Sequence, residues 1–90
     1  MQSSGHLYYP AYRTNNKILV CPVEIPREAA IEIMKLNSSR AGVFALYGSH
    51  ARSICQTLGG TVRHDIETGS GYWNHYHSSN FSNAHCWYFI

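Results

Sequence analysis

Four of the six histidines in this 90-residue sequence fall between His64 and His85, and two of them flank Tyr76 in the triplet His75, Tyr76, His77. Residues two apart on a β-strand point to one face, so Trp73, His75 and His77 share a surface while Asn74 and Tyr76 face away. By the same rule His85, Trp87 and Phe89 share a face on a following strand. An antiparallel register that opposes His77 with His85 also opposes His75 with Trp87 and Trp73 with Phe89, and three imidazoles then converge. A slip of one residue would set His85 against Tyr76 on the other face, and spacing alone leaves both registers open.

An imidazole with a pKa near 6.5 accepts or donates a proton at neutral pH, so paired histidines suit phosphodiester cleavage. In metal-independent RNA cleavage a base activates the ribose 2′-hydroxyl, an acid protonates the leaving 5′-oxygen, and a cation offsets charge on the phosphate. His75 and His77 are the candidate acid and base, with His85 as third partner. Arg63, Arg52, Arg40 or Lys17 could supply the cation; arginine is favoured for its bidentate grip on phosphate, and Arg63 is the expected choice. Tyr72, Trp73, Tyr76 and Trp87 offer faces on which an unstacked base can lie. The rival chemistry needs the same residues: His75, His77 and His85 make a three-nitrogen site for zinc or another divalent ion with an open position. That site would lack an acidic fourth ligand.

Histidines and aromatics can also simply build a small sheet, with ring nitrogens satisfied by backbone and tyrosine hydroxyls. Three together, in a region with no charged residue after Glu67, favour a functional cluster. Other candidates are weaker. Cys86 beside His85 suggests a thiol and base, but strand neighbours face opposite ways. Asp65 and Glu67 share a strand face and could act as a base or orient a histidine, although a solvated face is the expected role. His64 neighbours Asp65 without partnering it, and His50 and His6 read as surface residues.

The elements that must position these groups follow from patterning. Residues 1–16, with Gly5, Pro10, Asn15 and Asn16 among three tyrosines, read as an extended arm docked on a single domain of residues 17–90. Residues 17–23 are β-branched and apolar but include Pro22, which predicts a short edge strand. Pro26, Glu28 and the apolar spacing through Met34 predict a helix over about 26–37. Residues 41–48 predict a strand, with a continuing helix as the alternative. Ser49 is a candidate cap for a helix over 49–58 that Gly59 and Gly60 end. Residues 61–66, 71–77 and 84–90 read as three strands, separated by a turn at 68–71 and a polar loop at 78–83. The expected core joins Val43, Phe44, Leu46, Ile54, Leu58 and Val62. The fold class is therefore α+β, two short helices on a mainly antiparallel sheet of four or five strands, with the C-terminal hairpin carrying the site.

Composition narrows the function further. Ninety residues suffice for one domain with a thin core, which argues against deep cofactor cavities. Hydrophobic residues at 44% and charged residues at 13% exclude disorder, and no apolar run is long enough for a membrane span. Seven Lys plus Arg against five Asp plus Glu leave +2, too little to announce nucleic-acid binding by charge alone. Cys21, Cys55 and Cys86 are odd in number and form no C-x-x-C pair, so they are expected to be unpaired, buried thiols. Met1 is followed by Gln2, Ser3 and Ser4 and not by a basic and then apolar stretch, so no secretory signal is visible.

From Gly42 onward the sequence resembles C-terminal toxin domains of bacterial polymorphic toxins, of the Rhs-repeat and related secreted kinds. The residues that carry the resemblance are the LGG at 58–60, Gly71 and Tyr72, the HYH triplet at 75–77, and the terminal AHCWYF with its H-x-W-Y pattern. Many such domains are nucleases of barnase, EndoU, colicin or RelE-like arrangement, with helices before a small antiparallel sheet. The resemblance implies an RNA substrate, delivery by a bacterial carrier into a target-cell cytoplasm, and a cognate immunity protein as partner.

Overall fold

The computed structural model describes residues 8–14, 17–66 and 73–90. Along them run β1 (Tyr8–Thr14), β2 (Lys17–Val20), α1 (Arg27–Lys35), β3 (Ala41–Ala45), α2 (Gly48–Leu58), β4 (Val62–Asp65), β5 (His75–Ser78) and β6 (Phe81–Tyr88). The strands form one sheet in the order β2-β1-β3-β6-β5-β4. Neighbours are antiparallel except β3 and β6, which pair in parallel with Val43 opposite Cys86 and Phe44 opposite Trp87. This is the expected α+β architecture, with β2 at an edge as Pro22 required. It carries one strand more than the four or five expected.

The additional strand is β1, formed by residues expected to be an arm. Its tyrosines alternate: Tyr8 is fully buried on the helix side, and Tyr9 packs against the cluster on the other face. Pro10 costs the strand one donor, yet its carbonyl still accepts from the Cys21 amide at 2.9 Å.

Both helices cover one face. Ala30 and Met34 from α1 and Ala51, Ile54, Cys55 and Leu58 from α2 pack on Tyr8, Val43, Ala45, Ala84, Cys86 and Tyr88. Each large apolar side chain withdrawn there contributes roughly 1.5–3 kcal/mol. The expected core is therefore right for Val43, Ile54 and Leu58, with Val62 at its margin. Phe44 is a correction. It points to the opposite face and packs with Ala11 and Trp87, because β3 is a central strand whose two faces are both buried and whose sequence shows no polar alternation. Leu46 is only half-buried.

Helix boundaries shift by a residue or two. The helix α1 stops at Lys35, and Asn37 takes the left-handed conformation at φ 54°; its side-chain oxygen accepts from the Asn83 amide at 2.9 Å, tying α1 to β6. Helix α2 starts at Gly48 with Tyr47 in the cap position and no side-chain cap, so Ser49 sits inside the helix. At its other end Gly59 and Gly60 have φ of 88° and 71°, a conformation that side-chain-bearing residues resist. They lie against the β5–β6 turn, where Ser78 Oγ donates to the Gly59 carbonyl and Asn80 Nδ2 to the Leu58 carbonyl. That turn is tight: Ser78 pairs with Phe81, so β6 begins inside the stretch read as a polar loop. The turn expected at 68–71 lies outside the described residues. Cys21, Cys55 and Cys86 are all unpaired, but Cys21 is exposed.

Candidate functional site

The face left open by the helices carries the histidines. Across β4 and β5, Arg63 opposes His77 and Asp65 opposes His75; across β5 and β6, His75 opposes Trp87 as the three-histidine register requires. The pairing then shifts between Tyr76 and Ser78, so extra β6 residues bulge opposite His77. His85, two residues from Trp87 and stacked on it, stays on the open face by ordinary alternation. Ring centroids are 4.8 Å apart for His75 and His77, 4.8 Å for His75 and His85, and 4.5 Å for His77 and His85. His75 and His77 are buried, and His85 is half-exposed.

Two backbone carbonyls fix the rings of β5. His75 Nδ1 donates to the Trp73 carbonyl at 3.0 Å, and His77 Nδ1 to the Ala84 carbonyl at 2.8 Å. A carbonyl only accepts, so each Nδ1 holds hydrogen and each Nε2 faces outward from that anchor. Both Nε2 atoms lie 3.3 Å from the same oxygen, Asp65 Oδ2. Arg63 grips that carboxylate with both arms of its fork, Nε to Oδ1 at 3.0 Å and Nη2 to Oδ2 at 3.1 Å.

Charge and burial act against one another here. Burial pushes the His77 pKa down, His75 and Arg63 add to the effect, and the Ala84 carbonyl and Asp65 oppose it. His85 is pushed down to about 4 by burial, then by His77, His75 and Arg13. Both rings are therefore neutral at pH 7. Burial would raise Asp65, but the hydrogen bonds and charge of Arg63, followed by His75 and His77, bring it below the usual carboxylate value.

The aromatics expected to hold bases are placed differently from one another. Trp87 is only 3% exposed and its ring stacks on His85, centroids 5.1 Å apart and 9° from parallel, so it floors the histidine. Trp73 meets Phe44 edge-on at 5.5 Å and remains half-exposed. Tyr76 is on the helix-side face, stacked on His64 at 4.2 Å, and is removed from the cluster by the strand's alternation. His64 Nε2 meets the Tyr88 hydroxyl at 2.6 Å. Tyr72 lies outside the described residues.

Arginines line two hollows, only the first of which touches the cluster's strands. One, of about 290 Å³, opens beside His77 and is lined by Arg63, Ser78, Ser79 and Ser82 among others. The second, of about 270 Å³, is lined by Arg13, Thr14, Ser39 and Arg40. Arg13 is the residue that sequence reading missed, since β1 was not recognised as part of the sheet. The signal for Asp65 is its period-two spacing from Arg63, which aligns both with His75 and His77 once β4 and β5 pair.

Comparisons with protein-family models, curated proteins and solved structures find no match. Among the described residues no helix is long and apolar enough to cross a membrane.

Proposed function

We propose that this domain is a toxin-type ribonuclease that cleaves RNA by histidine acid–base catalysis. The observation that carries the reading is the convergence of His75, His77 and His85 on the uncovered sheet face, with a carboxylate and a guanidinium in the same cluster. His77, neutral at pH 7, takes the proton from the ribose 2′-hydroxyl. The 2′-oxygen attacks phosphorus, the bond from phosphorus to the 5′-oxygen breaks, and His75, entering the step as an imidazolium, gives its Nε2 proton to that oxygen. The products are a 2′,3′-cyclic phosphate and a 5′-hydroxyl.

The Trp73 and Ala84 carbonyls orient the two rings, and substrate displaces Asp65 from their Nε2 atoms by entering at the hollow beside His77. Arg63 is engaged by Asp65, so Arg13, whose field reaches His85, shares the phosphate-binding role. The sequence resemblance adds the setting: a carrier delivers the domain to a target-cell cytoplasm, where RNA is the substrate and a cognate immunity protein the inhibitor.

The test is incubation of the purified chain with a single-stranded RNA oligonucleotide in the presence of EDTA. Expected are fragments ending in 2′,3′-cyclic phosphate, no cleavage of the all-deoxy oligonucleotide, and at least a ~100-fold loss in His77→Ala. Cleavage of DNA and RNA alike, or no cleavage above the His75→Ala, His77→Ala double variant, would overturn the reading.

A further inference from the structure

In their neutral forms His75 and His77 each present a bare Nε2 lone pair, because the Trp73 and Ala84 carbonyls hold hydrogen on Nδ1. Both lone pairs meet Asp65 Oδ2 at 3.3 Å, and a carboxylate oxygen has only lone pairs to offer in return. Electron-rich atoms held this way are stabilised by a positive charge between them, a proton or a metal ion. A tetrahedral zinc ion with bonds of about 2.0–2.1 Å sets its ligand atoms roughly 3.3–3.4 Å apart, and the two separations from Asp65 Oδ2 match that edge. His85 supplies an independent observation. Its buried Nδ1 makes no hydrogen bond of good geometry, although the Asn83 backbone lies close enough to oppose the fall in its pKa, and ligand nitrogens of His75, His77 and His85 all lie within 4.8 Å of one another.

The surroundings fit a metal as well as the donors do. Zinc-ligating histidines donate their second ring N–H to a backbone carbonyl or carboxylate, and ligating carboxylates are themselves hydrogen-bonded. The Trp73 and Ala84 carbonyls and the Arg63 fork already fill those positions.

We infer that Asp65 Oδ2, His75 Nε2 and His77 Nε2 bind one zinc ion, with His85 as fourth ligand. The site supplies the acidic ligand that the sequence did not reveal, and it recruits the nitrogens that the proton transfers require. Zinc therefore silences the ribonuclease. This second statement rests on the proposed function, whereas the binding does not.

The 90-residue chain, stripped with EDTA and desalted, is titrated with zinc chloride against a chromophoric chelator, and in parallel with cobalt chloride under visible absorption. Expected are one zinc per chain, an intense tetrahedral cobalt spectrum, and at least a tenfold loss of affinity in both His77→Ala and Asp65→Ala. His64→Gln keeps full affinity. Circular dichroism establishes that each variant is folded, and the wild-type cobalt spectrum needs no variant at all. Absence of saturable one-to-one binding, an octahedral cobalt spectrum, or unchanged affinity in a folded Asp65→Ala chain overturns the site.

For the silencing, RNA cleavage in EDTA should fall at least tenfold when one equivalent of zinc in excess of chelator is added. Binding without any cleavage under either condition would sink the ribonuclease and leave the zinc site standing. Cleavage without zinc binding does the reverse, and cleavage that requires zinc overturns both the silencing and the metal-independent mechanism.

Discussion

The indole of Trp87 lies across Gly42: a Cβ at Gly42 would sit 2.8 Å from the ring and collide with the His85 carbonyl. Gly42 thus lets β3 and β6 approach at the residues that shape the histidine face. Gly42→Ala is expected to destabilise the fold by about 1–3 kcal/mol, the usual cost of overpacking. Urea unfolding measures it, and a change in the near-ultraviolet circular dichroism of the tryptophans should accompany it.

Acid should weaken the fold, and the sign follows from the direction of the shifts. The folded-state pKa of His85 is about 4, below the ordinary value near 6.5, so the unfolded chain binds more protons between those values. The contribution of His85 is complete above about pH 6.5 and is lost as pH falls toward 4. His77 acts in the same direction. The depressed Asp65 adds a loss beginning lower, as pH falls through the ordinary carboxylate value. Thermal melting in EDTA should show a midpoint on the order of 5 °C lower at pH 5 than at pH 8; a flat profile would refute the burial of these rings.

The thiols should divide sharply. Burial pushes Cys55 up to about 12 and Cys86 well above its ordinary value, while Cys21 is exposed. A disulfide-exchange reagent at pH 8 should titrate one thiol in the native chain and three in guanidinium chloride, because only the thiolate reacts. Two fast-reacting thiols in the native state would contradict the packing of α2 on β6.

Arg13 and Arg63 should behave differently as variants. Arg13→Gln is expected to weaken RNA binding and to reduce the salt slope by roughly 0.7, the change for one lost phosphate contact on a single strand. Arg63→Gln should instead release Asp65, lowering activity with a smaller change in salt slope. Fluorescence anisotropy with a labelled RNA, measured across salt concentrations, distinguishes them.

The histidine face was legible because strand alternation is a strong rule: it grouped His75 with His77 and His85 with Trp87, and the observed pairing of His75 with Trp87 completes it. The bulge opposite His77 was not legible, since a local change of register leaves no mark on residue types. Asp65 became visible only through a cross-strand partner, a relation set by the pairing of β4 with β5. Phe44 was assigned to the wrong face because a strand buried on both sides shows no polar alternation. In β1, Pro10 and the tyrosines disguised a sheet member as an arm, and Arg13 was overlooked with it.

The position of β6 has a kinetic consequence. The C-terminal-most strand lies in the middle of the sheet, between β3 and β5, so it joins two groups of strands that do not otherwise touch edge to edge. A chain emerging from the ribosome has no continuous sheet until residues 81–88 arrive. Its parallel pairing with β3 closes a long loop, a step with a high entropic toll and a slow rate. His85 rides on that strand. The complete histidine cluster is thus among the last features to form, and no chain lacking β6 in place can assemble it.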